Sequence, residues 1–253
     1  MTAPTFVAAS TGATDATGAW VATCHAPGAA GRLIILQVLQ DGSGAAPTFT
    51  SATNIEDLTG TDNAWTVLGT AVVGTSSEAK HHLWVGRSLS TSAPTFTGGN
   101  SSGDDLYFRC YEFQDVNTGT TLSDILENTT AGTISTDNAT NATMTPRNVG
   151  TTASDRLAIN FCAVNDDVTI ALITGMSGGT WVEVAEYSDS GGTDGAIQLQ
   201  YAAMPTAGTL SGGSAALSLS AAWGVIDFAL IGTTVAAAKS LVIPHRHRGL
   251  IVR

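Results

Sequence analysis

Gly31-Arg32-Leu33-Ile34-Ile35-Leu36-Gln37-Val38-Leu39 opens on a small residue and an arginine and then runs apolar. A weaker copy, Asp155-Arg156-Leu157-Ala158-Ile159-Asn160-Phe161-Cys162-Ala163, returns 124 positions later. The run from Arg32 to Gln40, closed by Asp41-Gly42-Ser43-Gly44, is apolar at nearly every position, which is the pattern of a strand covered on both faces. Two such strands predict a duplicated β-unit. Trp65 then matches Trp181 and Leu83 matches Leu199 at an offset of 116, while Leu106 matches Ile226 and Phe108 matches Phe228 at 120. A repeat near 120 residues is too long for a solenoid or a propeller blade and predicts two related halves of a double sheet.

Working outward, short β-prone runs recur between clusters of Gly, Thr, Ser and Asp: Thr5 to Ala8, Ala19 to Thr23, Ala64 to Gly69, His81 to Gly86, an edge-like Pro94 to Thr97, Asp105 to Phe113, Ala215 to Ser220 and Val225 to Ile231. In Asp105 to Phe113, alternation sends Leu106, Phe108 and Cys110 one way and Tyr107, Arg109 and Tyr111 the other. One short helix is expected from Leu122 to Glu127, capped by Thr121 or Ser123. Ala45 to Asn63 reads as a loop with a helical turn at Asn54 to Leu58, and Asn128 to Asn141 as a connector. The expected fold is all-β, an antiparallel, jelly-roll-like β-sandwich over residues 1–235. Its two sequence-related halves are about 1–120 and 129–235, and a basic, extended C-terminal arm of residues 236–253 follows.

Charged residues make up 12% of the 253-residue chain, about half the roughly 25% usual in soluble domains. The net charge of −11 argues against nucleic acid as a partner, because phosphate binding needs a basic field. The charge is unevenly distributed. Lys239, Arg246, Arg248 and Arg253 fall within the last fifteen positions, leaving six basic against 21 acidic residues, a body of −15 carrying a tail of +4. Cys24, Cys110 and Cys162 are odd in number, far apart and set in apolar runs, so buried free thiols are expected. The N-terminal residues carry no signal-peptide pattern and no apolar run is long enough to span a bilayer, which places synthesis and folding in a cytoplasm without membrane insertion.

No stretch spells out a reaction. Gly175-Met176-Ser177-Gly178-Gly179 fits the spacing of a nucleophile elbow, but it leads into another strand instead of the required helix. His81 and His82 fall on opposite faces of one strand and so cannot share a metal. The acid-rich turns, Glu56-Asp57 with Asp62 and Asn165-Asp166-Asp167 among them, lack the spacing of a calcium loop. No cofactor or catalytic set is expected. The five tryptophans raise sugar stacking, although Trp65 and Trp181 at matching repeat positions suggest packing. The candidate recognition element is the tail. Leu241-Val242-Ile243 and Leu250-Ile251-Val252 are β-prone triplets around a basic turn, suited to adding a strand to a neighbour's sheet. The expected partner-binding residues are Lys239, Leu241, Val242, Ile243, His245, Arg246, His247, Arg248, Leu250, Ile251 and Arg253.

Several patches together resemble the β-sandwich structural proteins of tailed bacteriophage virions: the early Pro4-Thr5-Phe6-Val7, the Ala30-to-Ile35 strand, Trp65-Thr66, the Ala93-to-Thr97 hairpin and Ala222 to Leu230. The resemblance covers residues 3 to 232 and departs from the pattern at Gly31-Arg32-Leu33, where an aspartate commonly stands in place of the arginine. It implies a virion component without an active site and leaves open whether head or tail; the composition adds assembly in a host cytoplasm and no nucleic-acid or membrane partner. A capsid decoration or surface accessory subunit is the first expectation. It would form a homo-oligomer, with the major capsid protein or neighbouring copies as partners. The alternative is a carbohydrate- or receptor-binding module of a tail or baseplate.

Overall fold

A computed structural model describes residues 2–15, 19–42, 47–75, 79–99, 104–127, 134–184, 186–189 and 194–233. The first half of the chain supplies β1 (Thr5–Ala9), β2 (Ala13–Asp15), β3 (Ala19–Thr23), β4 (Leu33–Asp41), β5 (Thr48–Thr53), β6 (Ile55–Glu56), β7 (Thr66–Val73), β8 (Ala79–Ser88), β9 (Thr95–Gly99) and β10 (Asp105–Gln114). A short helix, α1 (Leu122–Ile125), leads into the second half. There follow β11 (Leu126–Glu127), β12 (Ser135–Met144), β13 (Val149–Thr151), β14 (Arg156–Val164), β15 (Thr174–Ser177), β16 (Val182–Glu183), β17 (Tyr187–Asp189), β18 (Gly195–Met204) and β19 (Gly208–Ile231).

Each large sheet comes from one half of the chain. The first runs β1-β10-β4-β8-β6, with β2 beside β10 and β7 beside β8. The second runs β11-β19-β14-β18-β16, with β12, β13 and β15 beside β19 and β17 beside β18. A third, three-stranded sheet, β3-β9-β5, lies over the outside of the first. Every pairing among these strands is antiparallel.

The opening stretch explains the layering. All of β4 from Leu33 to Gln40 is buried, as an apolar run without alternation requires. Leu33 and Ile35 turn inward onto the second sheet, where they join Leu157, Ile159, Phe161, Phe228 and Leu230 in one core. Ile34, Leu36 and Val38 turn outward to meet Trp20, Phe96 and Phe108 under the third sheet. β14 is likewise buried throughout: Leu157, Ile159 and Phe161 point in, while Ala158, Cys162 and Val164 pack outward with Trp181 and Trp223. Across the interface Tyr111 meets Phe161 edge-on, with ring centroids 5.3 Å apart.

The two sheets also share a register. Gln37 stands opposite Leu83, and Phe161 opposite Leu199; Thr66 stands opposite Val85, and Val182 opposite Tyr201. The offset of 124 between β4 and β14 and that of 116 between β7–β8 and β16–β18 therefore land on matching positions, although Trp20, in β3, and Met144, also 124 apart, lie in strands that do not correspond. The offset of 120 does not. Ile35 pairs with Tyr111 and Ile159 with Phe228, so Tyr111 is the counterpart of Phe228. Phe108 belongs to the outer cluster and Phe228 to the inner one, because a slip of three residues exchanges the two faces of a strand.

Four expectations of local structure are corrected. The segment from Ala45 to Asn63 contains β5 and β6 and no helical turn. β5 reads as polar because Thr48, Thr50, Ser51 and Thr53 face water while a bulge between Phe49 and Ser51 breaks its alternation. Asn128 to Asn141 is not all connector, since β12 begins at Ser135 and pairs along β19. Its Thr136, Asn138 and Thr140 are exposed, and no apolar stripe betrays it. Its free edge is blunted by its own neighbours: the Arg147 Nε–H donates to the Thr136 carbonyl at 3.2 Å and the Asn138 N–H donates to the Asp137 carboxylate at 2.9 Å. The helix stops at Ile125, because Leu126 turns extended and pairs with Leu230. Pro94 to Thr97 is no edge, for β9 is the middle strand of its sheet.

The cysteine expectation is corrected as well. Cys24 and Cys110 form a disulfide with Cα atoms 5.3 Å apart, and Cys162 alone is free and buried. Cys24 directly follows β3 in the outer sheet, and Cys110 sits on the face of β10 turned toward that sheet. The 86 intervening residues hide the pairing from the sequence.

Candidate functional site

The residues expected to bind a partner, Lys239, Leu241, Val242, Ile243, His245, Arg246, His247, Arg248, Leu250, Ile251 and Arg253, lie outside the described residues. Their point of departure is described. Beyond β19, Gly232 and Thr233 are held on both sides. The Thr2 N–H donates to the Thr233 carbonyl at 3.0 Å, the Thr233 N–H to the Asp115 carbonyl at 2.9 Å, and the Asn117 N–H to the Ile231 carbonyl at 2.8 Å. A Cβ on Gly232 would stand 2.1 Å from the Thr2 carbonyl oxygen, so the clamp admits only glycine there. The place farther along β10 is already filled, since Thr5 and Phe6 of β1 pair with Gln114 and Phe113.

Around this root lies a cleft of about 270 Å³ lined by residues 29–33 and 113–116 with Thr118 and Thr233. Beside it, Glu112, 1% exposed, accepts hydrogen bonds from His25 Nε2 at 2.8 Å and from the Gly28 N–H at 3.1 Å, with the Arg32 guanidinium 3.6 Å away. Arg32 also donates to Gln114 Oε1 at 2.5 Å. Arg87 donates to the Gly31 and Asn117 carbonyls, and burial holds its pKa down against the nearby Glu56. These partners tie together the loops that frame the cleft.

Buried polar side chains elsewhere are largely satisfied internally. Gln37 donates to the Cys162 carbonyl at 2.7 Å and to His81 Nε2 at 3.0 Å, while the Tyr111 hydroxyl donates to Gln37 Oε1 at 2.8 Å. This bridges the two sheets through their core. His82, on the opposite face as expected, contacts Thr70 Oγ1 and Gln40 Oε1. Burial pushes His81 down to about 3 and His82 to about 4, and each is lowered further by a positive neighbour, His82 and Lys80 respectively. His81 Nδ1 is buried without a hydrogen-bond partner.

Asp227 interrupts the otherwise apolar run Val225 to Ile231. It is fully buried on the outer face of the second sheet. Asn160 Nδ2 donates to one oxygen at 2.5 Å and the Arg147 N–H to the other at 2.9 Å. Burial raises it to about 7 despite those hydrogen bonds. Across the strands this position continues a polar row, Asp227, Asn160, Gln200 and Glu183, in which each stands opposite the next. Gln200 and its neighbour Gln198 hold the segment crossing above them, through bonds to Ile170, Ala171 and Ile173. Arg156 instead pairs with Glu127 at 2.6 Å, both buried.

The tryptophans are packing residues. Trp20, Trp84, Trp181 and Trp223 are buried, and half-buried Trp65 lies against Phe49 and Phe96, with centroids 4.1 and 5.2 Å away. A second cleft of about 260 Å³, lined by residues 172–176 and 179–181, borders Trp181, whose indole N–H meets the Met176 sulfur. Among the described residues no group of three or more His, Cys, Asp or Glu side chains comes together to hold a metal ion. Among them, too, no helix is long and apolar enough to cross a membrane. Compared with known protein families, curated proteins and solved structures, the chain matches none.

Proposed function

We propose that the protein is a non-enzymatic structural component of a tailed-phage virion, most specifically a capsid decoration or other surface accessory subunit. Residues 236–253 fasten it to the major capsid protein or to neighbouring copies. The observation that carries this reading is the root of the arm. A basic segment leaves an acidic body from a point held by Thr2 on one side and by Asp115 and Asn117 on the other. The pairing positions farther along β10 are taken by β1. Multivalent attachment through such a segment holds a lattice together even where each contact is weak. The rest of the chain suits a scaffold: its buried polar groups hold layers together. The matched registers of the two sheets support our reading that the halves arose by duplication of one β-unit.

The test is truncation after Val235. The body is expected to remain folded by circular dichroism yet be lost from purified particles. A truncated body that joins particles at wild-type occupancy refutes the attachment reading, and absence of the full-length chain from purified particles refutes the virion reading.

A further inference from the structure

We propose that Cys24 and Cys110 form a redox-controlled latch that closes after folding and pins the outer three-stranded sheet to the body. The sheet β3-β9-β5 pairs with neither large sheet among the described residues. It rests on the first sheet through side chains: Trp20, Ala52 and Phe96 from its own strands, with partly buried Phe49, against Ile34, Leu36, Val38, Trp84 and Phe108. Trp20 stacks on Phe108 with centroids 5.0 Å apart, and Phe49 meets Trp84 at 4.4 Å. The Cys24–Cys110 bond crosses the same interface. It is therefore a covalent tie on a layer that is otherwise held by packing.

Burial sets the order of events. Cys24 is 4% and Cys110 1% exposed, so a small oxidant or reductant reaches them only when the layer lifts. The chemistry is thiol–disulfide exchange with a low-molecular-weight disulfide. The Cys24 thiolate attacks it, giving a mixed disulfide and releasing one small thiol. Cys110 then gives its proton to solvent, its thiolate attacks the Cys24 sulfur, and the second small thiol leaves. Two electrons pass from the protein to the oxidant, and two small thiols account for both protons. In a reducing cytoplasm the latch stays open; once the protein meets an oxidising medium it closes. Free Cys162, on the far face of the second sheet, takes no part.

The test compares the full chain purified under reducing conditions with the same chain after incubation with oxidised glutathione. Alkylation in denaturant and mass spectrometry are expected to count three free thiols before and one, Cys162, after, with a Cys24–Cys110 cross-linked peptide and no retained glutathione. Hydrogen exchange in residues 19–23, 48–53 and 95–99 should slow on closure by on the order of tenfold or more, with 156–164 and 223–231 unchanged. A bond involving Cys162 overturns the proposal. So does closure that leaves exchange in the outer sheet unaltered, or that slows it equally throughout. Because both arms use the wild-type sequence, a folding defect in a Cys24→Ser variant does not blunt the test.

Discussion

Asp227→Asn should change the sign of its effect on stability between acid and neutral pH. The wild-type carboxyl is fully buried, and burial lifts it from 3.8 to about 7. The folded state therefore holds the proton more tightly than the unfolded state. The stability present below pH ~4 is lost as pH rises toward 7, and the loss amounts to about 4 kcal/mol. Asparagine never ionises and escapes that loss. It does place an amide N–H₂ against one of two donors, Asn160 Nδ2 or the Arg147 N–H, at about 1 kcal/mol whatever the pH. The variant is expected to be less stable than wild type by about 1 kcal/mol at pH 4 and more stable by about 3 kcal/mol at pH 8. The assay is urea unfolding followed by tryptophan fluorescence across this range. His81 and His82, whose depressed pKa values act in the opposite direction below pH ~6.5, are present in both proteins and drop out of the difference. A difference that stays constant with pH refutes the argument.

Glu127→Ala strands the Arg156 guanidinium, buried and without its carboxylate, and should cost about 3–5 kcal/mol in the same assay. Phe161→Ala empties the centre of the core between Tyr111 and Phe228 and is expected to cost about 3–5 kcal/mol, read as a lowered urea midpoint. The His81 and His82 imidazoles, held down to about 3 and about 4, should still be neutral at pH 5 by NMR. Since their folded values lie below the unfolded one, they contribute stability that is lost as pH falls through that interval; a midpoint near 6.5 for either would contradict its burial.

The core of the fold was legible because burial on both faces leaves a compositional mark. Arg32 to Gln40 and its copy at Arg156 could be recognised as central strands, and their offset of 124 carries over into the sheets, where Gln37 and Phe161 face Leu83 and Leu199. β12 was not legible, because a strand held by its backbone to β19 with one face in water needs no apolar side chains there. The burial of Asp227 was not legible, because a lone carboxylate normally faces solvent and its partner Asn160 stands directly opposite it only once β14 and β19 pair. Cys24 and Cys110 carry no signal in one sequence, since only the stacking of the third sheet on the first brings them together.

The length of β19 has a kinetic consequence. This 24-residue strand is the shared neighbour of β11, β12, β13, β14 and β15. The first sheet has all its strands once Gln114 has left the ribosome, whereas the second lacks its common partner until Ile231 emerges, a lag on the order of ten seconds of synthesis. Throughout that lag the inward face of the first sheet, Leu33, Ile35, Tyr111 and Phe113 among it, stands uncovered. Folding in the cell is thus expected to be vectorial, with the N-terminal half as template and a window of vulnerability to aggregation that a slow patch of codons late in the message would lengthen.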